Sequence, residues 1–509
     1  MKPISNYSPF ESEECGGGSK EIFFSFKEGF FIRVTIFSME DLPEPLLLDI
    51  TKRLTRTSDR NSLSLASKRL HAFDAEQREF IRVGCGLHPA TDALTSLCIR
   101  FPNLTKVEIV YSGWMSHLGK QIDNRGLLAL SSHCPALADL TLSFCSFVSD
   151  AGLGHLASCK KLTSLELNFA PAISSNGVLS VVVGCKSLSA LRLVRCMKVN
   201  GVGWLEYVGK FGSLKELAIK NCRAVGEDDL IKLGTGWNEL ERFEFEMDSC
   251  YRCPKVYDLS AASDGFPECR IQCENLTELR LTNCVVEPGR VLSHLLGSCD
   301  RALEKLRLET CIGTRDRDMI ALSRSSKNLR SIALRLPLQY LSPCPVSNAS
   351  TRLLTDDSLI AFASECSMLE EVELSFVGGD FPNFCCFTPK GISTLIQSCP
   401  IRVLVLNNAC FFDDAGMEAL VSAAFLETLE LAQCQEVSDV GMRRVVDFPR
   451  LAHLRLCRCL GVTDLGLKAA VDSKKLESLV VEDCPQISEE GVRGAARSVS
   501  YAQDSAWLY

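Results

Sequence analysis

Aromatic residues make up only 7% of the 509-residue chain, and histidine occurs just seven times. A chain so poor in rings does not build an aromatic-rich core, and the bias favours stacked aliphatic repeats. Positive charge is not in surplus either. Fifty-five Lys and Arg face 63 Asp and Glu, a formal net charge of −8, which excludes a global basic field for grasping nucleic acid. The early apolar stretch from Ile22 to Phe37 is broken by Lys27, Glu28 and Arg33. Crossing ~30 Å of hydrocarbon takes about 20 mostly apolar residues, so no membrane partner is expected. That stretch also lacks a clean apolar centre and a small-residue cleavage pattern, so no export is expected. The thiols are then expected reduced, in the nucleus and/or cytoplasm. There is no His-Glu-x-x-His, glycine-rich phosphate loop or nucleophile elbow. Catalytic residues, metal ligands and cofactors are therefore not expected. What is present is an ordinary globular balance, 46% hydrophobic and 23% charged, which leaves an enzyme or a binding scaffold.

Residues 1–38 read as a flexible N-terminal extension, with Gly16 to Gly18 as its most pliant part. From Met39 the order changes. Asp41 is a plausible helix cap, Pro43 suits the first turn, and Leu46, Leu47, Ile50 and Leu54 recur at helical spacing. Thr57-Ser58-Asp59 interrupts that pattern. A second helix is expected through Leu63, Leu65, Ala66 and Leu70, and a third from Ala72 to Ile81. Three short helices in 39–82 bury little surface alone, so such a unit needs a partner.

The residues Leu42-Pro43-Glu44 with their leucine-rich helix, followed by Asp59-Arg60-Asn61-Ser62-Leu63-Ser64-Leu65-Ala66-Ser67-Lys68-Arg69-Leu70, resemble an F-box. The second stretch looks most like F-boxes of plant leucine-rich-repeat proteins, including the auxin and jasmonate receptor group. The resemblance implies helices laid on the small adaptor of a Skp–cullin–F-box ubiquitin ligase, and through it cullin and RING subunits. It places Leu42, Pro43, Leu46, Leu47 and Ile50 against the adaptor, with Leu63 and Leu65 completing the bundle. Ala66 stands where the family more often has Val, and Leu70 replaces a frequent aromatic.

Self-similarity fills the remainder, expected as an array over 83–495 with a C-terminal tail at 496–509. In Cys134-Pro-Ala-Leu137-Ala-Asp-Leu140-Thr-Leu142-Ser-Phe-Cys145 the leucines alternate, so Leu140 and Leu142 point inward and Thr141 outward. The middle apolar position steps 140→165→191→217→243 by 25, 26, 26 and 26 residues, and 404→429→454→479 by 25 each. That period and core predict an α/β leucine-rich-repeat solenoid of about fourteen units, a parallel concave sheet with outer helices. At ~4.8 Å per strand its inner arc would be roughly 60 Å. Ser149, Thr355, Ser438, Thr463 and Ser488 are each followed by Asp or Glu, a pairing that suits helix starts: the hydroxyl caps N–H groups and the carboxylate opposes the dipole. Gly152, Gly441, Gly466 and Gly491 follow close behind. The array resembles the cysteine-containing leucine-rich-repeat class, which commonly follows an F-box.

Most of the 26 cysteines keep fixed places in the repeat. Residues 134, 159, 185, 273, 299, 366 and 399 open units, while 145, 196, 222, 284, 311, 434, 459 and 484 follow strands. A reduced cysteine is a small, readily buried hydrophobe, so packing explains them. Cys250, Cys253, Cys269 and Cys273 approximate a zinc pattern. Cys273 also opens a repeat, and its spacing from Cys269 is one residue too long, so no metal is assigned.

Four steps are long: 107→140, 243→279, 332→372 and 372→404. Their extra residues follow the strand and emerge on one rim, carrying Tyr111, Trp114, Tyr251, Tyr340, Phe384 and Phe387 as candidate target anchors, or as cover for the rim. On the concave columns Arg280, Arg307 and Arg335 come to three neighbouring strands, where they could hold an acidic group; Glu244, Glu246, Glu309 and Glu373 lie alongside and can neutralise them. The leading functional expectation is a non-catalytic substrate-recognition subunit of a ubiquitin ligase, whose protein target the sequence does not identify. A hormone-like small-molecule co-receptor and a plain interaction scaffold stand as alternatives.

Overall fold

Residues two apart on a strand face the same way, so an L-x-L core commits one face of each strand to the interior. In the computed structural model Leu140 and Leu142 are fully buried while Thr141 between them stays half-exposed. The structure describes residues 20–25, 31–36, 42–54, 56–85, 89–111, 121–201, 203–248, 271–286, 291–299, 301–337, 354–377, 387–473 and 475–503. Within these, sixteen strands form one parallel sheet in strict sequence order, from Phe80–Val83 to Ala496–Ala502. Helices return the chain between strands, giving the leucine-rich-repeat solenoid that the period predicts.

The register joins the same residues that set that period. Leu140 pairs with Leu165, Leu165 with Leu191, Leu191 with Leu217 and Leu217 with Phe243, and Leu404, Leu429, Leu454 and Leu479 continue the line. Fully burying such a side chain is worth about 1.5–3 kcal/mol, and each unit buries its leucines only against its neighbours.

At both ends the sheet outruns the sequence expectation. Strand Phe80–Val83 lies inside the expected helical module, and Ala496–Ala502 inside the expected tail. Ile81 and Val83 are buried alternately with exposed Phe80 and Arg82, so this strand is genuine sheet edge. The last strand is mostly exposed and sets Val499 and Tyr501 opposite Leu479 and Val481, so no leucine marks it. Sixteen strands, not about fourteen, lengthen the inner arc to about 70 Å at ~4.8 Å each. Of residues 1–38, expected to be flexible, the described ones form two strands, β1 (Lys20–Ser25) and β2 (Phe31–Ile36), paired antiparallel.

The helical module contains α1 (Glu44–Arg53), α2 (Thr57–Ala66) and α3 (Lys68–Gln77), followed by β3 (Phe80–Val83) and α4 (Ala90–Arg100). Thr57-Ser58-Asp59 starts α2 where a break was expected. That break falls just earlier, between Arg53 and Thr57, and a second one at Ser67 interrupts the stretch expected as one helix: its hydroxyl caps α3 by accepting from Leu70 N at 3.2 Å.

Two ladders tie unit to unit. After many strands the next residue turns into the left-handed region, as at Asn221, Asn283 and Asn408. Its N–H donates to the carbonyl ending the next strand, as Asn221 does to Glu246 at 2.7 Å. On the outer face, the aspartate opening one helix accepts from the Ser or Thr capping the next. Asp439 takes Thr463 N and Oγ1, both at 2.7 Å, and Asp464 takes Ser488 N and Oγ, also at 2.7 Å. Thr355, Ser438, Thr463 and Ser488 cap as expected. Ser149 does not: its Oγ accepts from Asn124 Nδ2 at 2.9 Å and makes no cap bond.

The recurring cysteines are structural in the same sense. Cys196, Cys222, Cys311, Cys434 and Cys459 each donate a weak Sγ hydrogen bond to a carbonyl of the preceding unit, at 3.3–3.5 Å. Burial pushes the thiols of Cys145, Cys159, Cys273, Cys366 and Cys434 up to about 12. Thiols held neutral in this way are poor nucleophiles and poor metal ligands. Cys273 bridges to Cys299 of the next unit as ordinary sheet, while Cys250, Cys253 and Cys269 lie outside the described residues.

Candidate functional site

Two surfaces arise from this architecture: a corner of the helical module and the concave face. On α1 the helical period divides the apolar residues. Leu47 is completely buried, whereas Leu46 is 52% exposed. Leu65 on α2 is 78% exposed, the most exposed large hydrophobic side chain among the described residues. Pro43 is exposed, and Leu42, Ile50 and Leu63 are half-buried. Leu47, expected against an adaptor, is therefore an internal anchor of the helices, because its position faces Thr51 and the interior rather than solvent. Pro43 and Leu46 at α1 and Leu65 on α2 are thus exposed, Leu65 at the mouth of the space that α2 shares with β3 and α4. The Leu42 carbonyl is fixed by Arg69 Nη2 at 3.0 Å.

A buried charge cluster locks this module onto the solenoid. Asp74 on α3 is almost wholly buried, and Arg78 grips it through Nε at 3.2 Å and Nη2 at 2.7 Å. Arg60 of α2 reaches the same carboxylate at 2.8 Å, and Arg100 of α4 at 3.7 Å. Arg78 and Arg100 both stack on the Phe101 ring, 4.8 and 4.7 Å from its centre. Such a buried carboxylate persists only because several donors replace its lost water. The Asp74/Arg78 spacing of four on a helix was a visible signal for one pair; Arg60 and Arg100 reach it only through the fold.

On the concave face, Arg280 and Arg307 are register partners on adjacent strands, and Arg335 on the third strand stands opposite Glu309, one pleat further along. The structure brings the three together but leaves only one unpartnered. Arg280 is paired with Glu244 at 3.3 Å and Glu309 at 2.7 Å. Arg307 lies 3.6 Å from Glu309 and 3.4 Å from Glu373. Arg335 is exposed and forms no ion pair among the described residues. Beyond it Ser375, Asn407 and Ala432 continue the column of Arg335, while Glu373, Val405 and Glu430 follow Ala333 in the neighbouring column.

Of the loop side chains, Trp114, Tyr251, Tyr340 and Phe384 lie outside the described residues. Tyr111 and Phe387 prove to be buried rather than exposed anchors. The Tyr111 hydroxyl accepts from Ile122 N at 2.9 Å, which pins the far end of the long 107→140 step. Phe387 packs on Phe376 and Phe411, with ring centres 5.9 and 6.0 Å away.

No family model matches the sequence. Two solved structures are similar to it at low identity. A chain in the crystal structure of the Rad7 and Elc1 complex in yeast is 16% identical, with 91% of this chain and 98% of that chain covered and a TM-score of 0.49. The leucine-rich repeat-containing protein LegL7 from Legionella pneumophila is 15% identical, with 62% and 97% covered and a TM-score of 0.30.

Proposed function

We propose that this chain is the substrate-recognition subunit of an SCF-type E3 ubiquitin ligase. The F-box, residues 39–82, with its helices within Glu44–Gln77, binds a Skp-type adaptor and through it cullin and RING subunits. The repeat array holds a protein target for ubiquitination and proteasomal degradation. The observation that carries this reading is the exposure of Pro43, Leu46 and Leu65. These side chains belong to the residues that resemble the F-box, and the buried leucines of the solenoid do not cover them. An exposed apolar corner on a small helical unit marks an interaction site.

The chain is assigned no catalytic residue. Holding a target beside a ubiquitin-charged enzyme supplies proximity and orientation, which lower a barrier without chemistry from the receptor. On the concave face, Arg335 is the guanidinium left for an acidic group on the target, in a column continued by Ser375, Asn407 and Ala432. The compartment is the nucleus and/or cytoplasm.

Affinity capture under proteasome blockade tests the assignment. Intact protein should bring down adaptor and cullin, and Leu42→Ala with Pro43→Ala, or Leu65→Glu alone, should lose both. Absence of adaptor and cullin with the intact chain would sink it.

A further inference from the structure

Where α2, β3 and α4 meet, a half-open cavity of about 450 Å³ lies between the helical module and the first unit of the solenoid. We infer that this cavity binds a small polyvalent oxyanion, bearing phosphoryl or carboxylate groups. The inference does not rest on the ligase reading, although Leu65 lines the cavity as well.

Charge carries the argument. Arg60, Arg78 and Arg100 all pair with one carboxylate, Asp74. Among the described residues that leaves two positive charges without a carboxylate of their own at a partly buried joint. Arg78, Arg82 and Arg100 line the cavity, and no acidic side chain does. Uncompensated buried cations are costly, and a bound anion removes that cost.

The individual groups agree. Arg100 Nε is buried and has no hydrogen-bond partner among the described residues. Its ion pair to Asp74 is long at 3.7 Å, so its fork is not saturated. Arg82 is largely exposed and meets Glu108 only at 3.7 Å. Asn61 and Ser64 add neutral polar groups to the wall, and Asn61 Oδ1 already accepts from Arg78 Nη1 at 2.9 Å. Guanidinium forks match the paired oxygens of phosphate and carboxylate. A space of this size lies within the range of ordinary small-ligand sites.

Isothermal titration of the full chain decides the matter, with sodium pyrophosphate and sodium citrate as probes and sodium chloride at matched ionic strength as control. Saturable one-to-one binding of either probe is expected, and comparison of the two tells phosphoryl from carboxylate preference. Asn61→Asp sets a carboxylate beside Arg78 and supplies the missing counter-charge. It should weaken binding at least tenfold while raising the melting midpoint of the ligand-free protein. If that variant does not purify folded, Arg82→Gln, on an exposed side chain, should weaken binding at least threefold. No saturable heat with either probe, or undiminished affinity in the variant, overturns the inference.

Discussion

Asp414 and Ser438, 24 residues apart, are joined twice: the Ser438 N–H donates to Oδ1 at 2.8 Å and its hydroxyl to Oδ2 at 2.5 Å. Gly441 N adds a third bond to Oδ1 at 3.0 Å. The carboxylate thus opposes the dipole of its own helix and organises the start of the next one. It also explains the glycine, since a Cβ at 441 would sit 2.5 Å from Asp414 Oδ1.

Gly441→Ala and Asp414→Ala should therefore each destabilise the solenoid. Loss of the shared acceptor is worth about 1–3 kcal/mol. The double variant should cost less than the sum, because removing the carboxylate relieves the clash. Denaturant unfolding of the three variants measures this, and strictly additive losses would refute the coupling.

Asp74→Asn should loosen the joint between helical module and array. Breaking a buried ion pair on one side costs about 3–5 kcal/mol. Limited proteolysis is expected to cut within 44–77 first, leaving the repeats intact. Unchanged protection of those helices would argue against the cluster as the lock.

Leu47 and Leu65 should behave oppositely. Leu47→Ala, at a fully buried site, should lower stability by about 2–5 kcal/mol. Leu65→Glu, at an exposed one, should leave the melting midpoint within about 1 °C and abolish adaptor capture. A fall in stability with Leu65→Glu would show the corner to be covered.

Alkali should unfold the protein. The thiols of Cys145, Cys273 and Cys434 rise from their ordinary value of 9.0 to about 12 through burial. An unfolded chain then releases these protons at lower pH than the folded one. The stability they lend is complete below pH ~9 and is lost as pH climbs toward ~12. Melting midpoints under reducing conditions should fall steadily above pH ~9. A flat profile from pH 8 to 11 would contradict this.

Arg335→Ala should reduce target capture more than Arg280→Ala or Arg307→Ala, since those two are held by glutamates. Quantified pull-down of target with each single variant is the measurement. Equal capture by all three would remove Arg335 from the target site.

The amino-acid sequence alone determined the repeat. Leucine alternation and a period of 25 or 26 residues have one efficient outcome, stacked strands with helices behind, because each unit's apolar face needs its neighbour. The register followed, since the same leucine column must stay inside. The apolar corner was legible as a set of residues, but period alone did not separate Leu47 from Leu46: which of two adjacent leucines faces inward depends on what packs against the helix. The terminal strands escaped notice because edge strands bury little and carry little leucine. Charge pairing was legible only where the repeat sets the columns, as for the glutamates beside Arg280 and Arg307. The meeting of Arg60, Asp74, Arg78 and Arg100 depends on side-chain reach between distant segments. Asp414 and Ser438 show the same limit: the sequence explains Ser438 as a local cap, and only the stacking distance between units turns the two into a bond.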